Sequence, residues 1–164
     1  MKKQDYICCF TGHRHLPAES ADRLLFQLNR TLDILIRSGV TVFRAGGALG
    51  FDTLAALAVL DKKASSPDIK LEMCIPCRDQ ASKWSQDEIA TYNYVLKCAD
   101  RITVLNEKYT PWCMHQRNRF MVAGSDFCVA FLTSNTGGTA YTVDYAKKQG
   151  VKVINLADIL DVTD

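Results

Sequence analysis

"VTVFRAGGALGFDTLAALAVLDKKA", residues 40–64, decides the fold. It opens as a β-branched and aromatic run, breaks at Gly46, Gly47 and Gly50, and continues past Asp52 as an alanine- and leucine-rich segment. Glycine inside a regular element costs about 0.5–1 kcal/mol relative to alanine, so such a cluster implies either a turn that demands it or a ligand that approaches the backbone. A strand, a glycine turn and a helix in this order make one βα unit.

The same alternation extends in both directions. Upstream stand "YICCFTG" and "ADRLLFQLNRTLDILIRSG"; downstream come "IKLEMCIP", "QASKWSQDEIATYNYVLKCA", "RITVL", "PWCMHQRNRFMVAG", "DFCVAFL", "GGTAYTVDYAKKQG" and "VKVINL". The pattern predicts roughly six strands separated by about five helices. Strands alternating with helices imply right-handed βαβ crossovers and a sheet covered on both faces, which near-continuous apolar strands such as "DFCVAFL" require. The expected fold is therefore α/β: a Rossmann-like, doubly wound, mainly parallel sheet flanked by helices, with residues 1–164 forming one unit. Gly39 and Gly150 fall where helices end, and Pro76 and Pro111 fall where strands give way to helices.

Composition agrees with a packed globular domain. The chain has 164 residues, 48% hydrophobic and 23% charged, close to ordinary usage. The net charge of +2 and pI near 8.1 fall short of the strongly basic balance of a dedicated nucleic-acid-binding domain. The apolar run after the two N-terminal lysines is too short for a signal peptide, and no stretch has the length of a membrane span. Seven cysteines without an export signal read as reduced thiols. The expected location is cytoplasmic, away from membranes.

Each chemically loaded cluster falls at the carboxyl end of a predicted strand, where open α/β sheets bind ligands. "TGHR" (11–14) follows the first strand, "AGGALGFD" (45–52) the second and "TSNTGGT" (133–139) the fifth. "GGT" opens a helix, whose first N–H groups lack partners and whose dipole favours an anion. The helix beginning near Leu49 offers the same. The candidate phosphate-binding residues are Arg14, Gly46, Gly47, Gly50, Gly137, Gly138 and Thr139, whose hydroxyl is suited equally to the ligand and to capping its own helix. Asp52 is suited to sugar hydroxyls, to orienting an arginine, or to the first turn of its helix. In "RNR" (117–119), residues two apart on a helix project about 200° apart, which selects Arg117 and Asn118 for the ligand and leaves Arg119 to an acid or an interface. Trp84, Tyr92 and Tyr94 form an aromatic stripe whose first use is the core, with one ring available to stack a base.

Familiar sites are absent. There is no G-x-G-x-x-G after the first strand, no G-x-x-x-x-G-K-[ST] and no G-x-S-x-G. "CIPC" (74–77) has the spacing of a redox pair, but Cys74 belongs to the strand itself. Cys77, Cys113 and His115 lack the paired spacing of a zinc site, so no metal is assigned.

Taken in order, "TGHR", "AGGALGFD", "RNRFMVAGSD" and "NTGGTAYTVDYAKKQG" resemble the SLOG superfamily, particularly its small YpsA-like members. The resemblance covers nearly the whole chain. It implies a Rossmann-like fold and a nucleotide-shaped pocket. The superfamily includes the Smf-type DNA-processing proteins, which bind single-stranded DNA, and the LOG phosphoribohydrolases, which cleave nucleoside monophosphates. The resemblance carries ligand-binding roles onto Gly12, Arg14, Gly46, Gly47, Gly50, Asp52, Arg117, Asn118, Gly137, Gly138 and Thr139. LOG enzymes place catalytic acids after the glycine-threonine turn, whereas here Ala140, Tyr141 and Thr142 follow Thr139. No catalytic residue is therefore assigned. The expected function is binding of a nucleotide or nucleotide-sugar phosphate, with LOG-like N-glycosidic cleavage and Smf-like binding of single-stranded DNA as alternatives, and with a homodimer left open.

Overall fold

The computed structural model describes residues 5–162; the two N-terminal lysines and the outermost residues of the expected unit, 1–4, 163 and 164, lie outside the described residues. The strands are β1 (Tyr6–Gly12), β2 (Val40–Ala45), β3 (Lys70–Ile75), β4 (Arg101–Val104), β5 (Phe127–Phe131) and β6 (Lys152–Asn155). The helices are α1 (Ala21–Arg37), α2 (Phe51–Lys62), α3 (Gln86–Cys98), α4 (Cys113–Val122), α5 (Gly138–Lys148) and α6 (Leu156–Val162), with a short 3-10 turn at Ala18–Ser20.

The six strands form one sheet in the order β4-β3-β2-β1-β5-β6, and every pair is parallel. The expected Rossmann-like α/β architecture is the observed one. From β1 the chain steps outward to β4, then returns across β1 to β5. Strand order thus reverses between β1 and β5, and the crevice at their carboxyl ends is where this architecture takes ligands.

Side-chain alternation along each strand feeds two cores. Cys8 and Phe10 of β1 join a large cluster with Leu24, Leu28 and Leu32 of α1, Phe51 and Val59 of α2, Val95 of α3 and Leu160 of α6. Cys9 points the other way, into a smaller cluster with Met121 of α4, Cys128 of β5 and Ala146 of α5. Helices α1, α2, α3 and α6 therefore cover one face, and α4 and α5 the other. On that second face Arg44 Nε pairs with Glu72 Oε2 at 3.1 Å. Its Nη1 donates to Ala123 O at 2.7 Å and Met121 O at 3.4 Å, satisfying carbonyls that the end of α4 leaves without helical partners.

Two boundaries depart from the sequence reading. The segment beginning at Gln80 turns before it becomes helical at Gln86, because Ser85 and Glu88 form a reciprocal capping box. Helix α6 follows β6 without a turn signal, which gives six α-helices among the described residues rather than about five. No helix of the described residues is long and apolar enough to cross a membrane.

Candidate functional site

A cavity of about 260 Å³ opens at the carboxyl ends of β1 and β5. Thr11, Gly12, His13 and Arg14 reach it from β1, and Ala48 and Asp52 from the β2–α2 connection. Met114, Arg117 and Asn118 come from α4, and Thr136, Gly137, Gly138 and Thr139 from the β5–α5 connection. Seven of the residues read from sequence thus meet at one cavity: Gly12, Arg14, Asp52, Arg117, Asn118, Gly137 and Gly138, joined by Thr139 as an eighth. Gly46, Gly47 and Gly50 are not among its lining residues.

Asp52 and Arg117 form the floor of the site and are 5% and 4% exposed. Arg117 Nη1 donates to Gly46 O and, at 3.4 Å, to Cys74 O, while Nε donates to Asn118 Oδ1 at 2.8 Å. Burial pushes the Asp52 carboxyl from its ordinary 3.8 up to about 6. The Arg117 charge, the backbone N–H groups of Ala48 and Gly46, and the Arg14 charge act in the opposite direction. Burial likewise pulls the Arg117 guanidinium down from its ordinary value, opposed by Asp52. The two groups hold each other in charge where neither would be tolerated alone.

That pair explains a glycine. A Cβ at Gly46 would strike the Arg117 guanidinium and lie 2.8 Å from Asp52 Oδ2. Gly12 faces the Phe51 ring with no room for a side chain. Gly50 has φ +80°, and a Cβ there would lie 2.5 Å from the Arg14 carbonyl carbon. Gly47 has φ +74° and approaches Ile75 and Gln80. These glycines draw the β1 loop, the β2–α2 loop and α4 together, so that the lining residues reach one cavity. The amides of Gly46 and Ala48 serve the Asp52 carboxyl, and Phe51 N donates to His13 O at 3.1 Å. The start of α2 is closed by groups of the protein itself.

The start of α5 is different. Gly137 is its N-cap with no side-chain cap, and a Cβ at Gly137 or Gly138 would meet nothing within 4 Å. Thr139 does not close it either, and Thr142 Oγ1 turns back to Gly138 O at 2.9 Å. An uncapped helix start beside an exposed arginine, Arg14, provides donors and charge for an anion. His13 Nε2 accepts from Thr133 N at 2.9 Å, which ties the β1 loop to the β5 loop around this opening.

Several residues stand elsewhere. Trp84 packs edge-on against the buried Tyr92 at 5.3 Å, Tyr94 is exposed, and none of the three lines the cavity. Arg119 points outward, donating Nε to Tyr141 Oη at 2.7 Å. Cys74 and Cys77 are buried, and burial pushes both thiols up to about 12, opposite to the lowered value of a reactive redox cysteine. No group of three metal-ligating side chains occurs among the described residues. Thr11, His13, Ala48, Met114 and Thr136 line the cavity without being among the candidate ligand-binding residues. Met114 stands one turn before Arg117 on the same helical face, and Thr136 directly precedes Gly137, so each had a positional signal.

Comparison with known proteins identifies the family and the shared fold. The profile of the YspA SLOG family matches residues 17–163. A UPF0398 protein of Bacillus cereus strain G9842 is 29% identical over 126 residues, covering 75% of this chain and 68% of that protein. The uncharacterized SPbeta prophage-derived protein YoqJ of Bacillus subtilis strain 168 is 32% identical over 118 residues, covering 65% of this chain and 69% of its own. Among solved structures, DNA processing protein A of Streptococcus pneumoniae superposes with a TM-score of 0.66 at 17% identity, over 91% of this chain and 49% of that one. Its Helicobacter pylori counterpart, described for its single-stranded DNA binding mode, gives a TM-score of 0.65 at 20% identity, over 90% of this chain and 63% of that one. These two likenesses are of fold, and the chain spans about half the length of the first protein. With the family profile matching nearly the whole chain, this protein belongs to the YspA SLOG family.

Proposed function

We propose that this protein binds a nucleotide or nucleotide derivative, seating a phosphate at the start of α5 beside Arg14. The observation that carries the reading is the uncapped, sterically open first turn of α5 at the wall of the β1/β5 crevice. Gly138 and Thr139 supply the free N–H groups, Arg14 supplies charge, and Asp52 faces the sugar. Arg117 acts through its field rather than by forking the phosphate, because its Nη1 and Nε already donate within the protein. The phosphate therefore belongs to the α5 loop, while the Gly46–Gly50 loop organises the floor.

A second reading is enzymatic. A carboxyl lining a cavity and held near 6 sits where general acid–base chemistry at neutral pH operates. Asp52 is then the group that transfers a proton during N-glycosidic cleavage. Free base released from nucleoside monophosphates by the native protein, and lost in Asp52→Asn, supports that chemistry; no release at high protein concentration removes it. A third reading, binding of single-stranded DNA, draws on the fold shared with the Helicobacter pylori protein.

A thermal-shift panel tests these readings together: nucleoside mono-, di- and triphosphates, NAD, ADP-ribose, inorganic phosphate and a short oligo(dT). A ligand at ~100 times its Kd adds about 2.7 kcal/mol, which raises the midpoint of a domain of this size by about 5–10 °C. The proposal expects a nucleotide-selective rise. A flat panel contradicts it, and a rise with oligo(dT) alone transfers the site to DNA.

A further inference from the structure

The outward side of α4 and α5 holds a second depression, about 510 Å³, lined by Trp112, His115, Gln116, Arg119 and Tyr141. Positions 112, 115, 116 and 119 form one helical stripe, and Met114, Arg117 and Asn118 form another that lines the cavity of the proposed phosphate site. One helix, about 10 Å across, therefore separates the two, and the first turn of α5 borders both.

The depression is built for a flat ring. Trp112 is 74% exposed, the highest value among the exposed large hydrophobic side chains of the described residues. The His115 and Tyr141 rings meet edge-on at 4.4 Å, and Tyr141 and Tyr145 lie parallel within 8°. Arg119 fixes this arrangement, with its guanidinium 5.1 Å from the Tyr145 ring centre and its Nε bonded to Tyr141 Oη. His115 Nδ1 is buried and has no hydrogen-bond partner among the described residues. Pre-set aromatic faces and the Arg119 cation match the π-face of a heteroaromatic base. The first cavity also asks for such an annex: its 260 Å³ falls below the ~300–1,000 Å³ of pockets that enclose a whole drug-sized ligand.

We propose that this cleft receives a nucleobase, stacked on Trp112 and bounded by His115 and Tyr141. The proposal rests on the phosphate site at α5 for its direction and names what lies beyond it. The base belongs either to the nucleotide whose phosphate occupies the cavity or to the adjoining residue of an oligonucleotide.

The chain has two tryptophans, so a Trp84→Phe protein reports on Trp112 alone. Its fluorescence is titrated with AMP, UMP, adenosine, a short oligo(dT) and ribose 5-phosphate, and affinities are measured in parallel by calorimetry. AMP or UMP is expected to quench Trp112 and to bind about tenfold more tightly than ribose 5-phosphate, within the range of one base–aromatic stack. Trp112→Ala and Tyr141→Ala remove that advantage and leave ribose 5-phosphate binding unchanged. Quenching by oligo(dT) but by neither mononucleotide also supports the cleft and assigns it to a strand. Equal binding of AMP and ribose 5-phosphate, with no quenching by any base-containing probe, overturns the base site while sparing the phosphate site. Quenching by adenosine without binding of ribose 5-phosphate does the reverse. Silence from every probe overturns both.

Discussion

Replacing Arg117 with methionine lowers the unfolding free energy by about 3–5 kcal/mol, and by more at pH 8 than at pH 5. The size follows from what is left behind: a carboxyl 5% exposed that loses its strongest compensating cation, and a Gly46 carbonyl that loses the Arg117 donor and keeps the long bond from Gln80 Nε2 at 3.4 Å. The pH dependence follows from Asp52. Its folded pKa, about 6, already exceeds the ordinary 3.8, so the native state binds this proton better than the unfolded chain does. Stability from this group is complete below 3.8 and declines as pH rises through 6. Without Arg117 the folded value climbs further, the decline extends to higher pH, and the gap from the native protein widens. Urea denaturation of both proteins at pH 5, 6.5 and 8 measures this. A loss below about 1 kcal/mol, the same at each pH, contradicts a coupled buried pair.

Gly50→Ala destabilises by about 3 kcal/mol or more. Two costs combine: a left-handed backbone at φ +80°, worth about 1–2 kcal/mol for a residue with a Cβ, and a collision with the Arg14 backbone, which cannot rotate away as a side chain can. Overpacking of this kind costs about 1–3 kcal/mol. Gly124→Ala separates the two, because Gly124 also has positive φ, +77°, but a Cβ there meets nothing within 4 Å. It should lose only the backbone part. Equal losses in the two variants would mean that the Arg14 contact is without consequence.

These glycines show where sequence reading stops. Alternating apolar runs carried the architecture, because a strand buried on both faces and a helix buried on one have different periods. The helical angle between Arg117 and Arg119 also separated an inward guanidinium from an outward one, now seen on Gly46 and on Tyr141. The glycine clusters were legible only as permission for something to come close. Whether that is a ligand, as the open space at Gly137 and Gly138 allows, or the protein itself, as at Gly12, Gly46 and Gly50, depends on partners distant in sequence. The aromatic cleft was hidden for the same reason: Trp112 and Tyr141 belong to different segments, whereas Trp84, Tyr92 and Tyr94 announced themselves by spacing and stand away from the cavity, the first two packed together and Tyr94 exposed.

Gly138 is the position at which site and fold come apart. Its φ is not left-handed and a Cβ meets nothing within 4 Å, yet it lines the cavity, so a bulky side chain there fills the proposed phosphate position without disturbing the packing. The decisive measurement is the nucleotide thermal-shift panel run on the native protein and on Gly138→Leu side by side. A phosphate seat at the start of α5 predicts similar midpoints for the two proteins without ligand, a nucleotide-dependent rise in the native protein and none in Gly138→Leu. An equal rise in both would place the ligand elsewhere and contradict a phosphate seat at the start of α5.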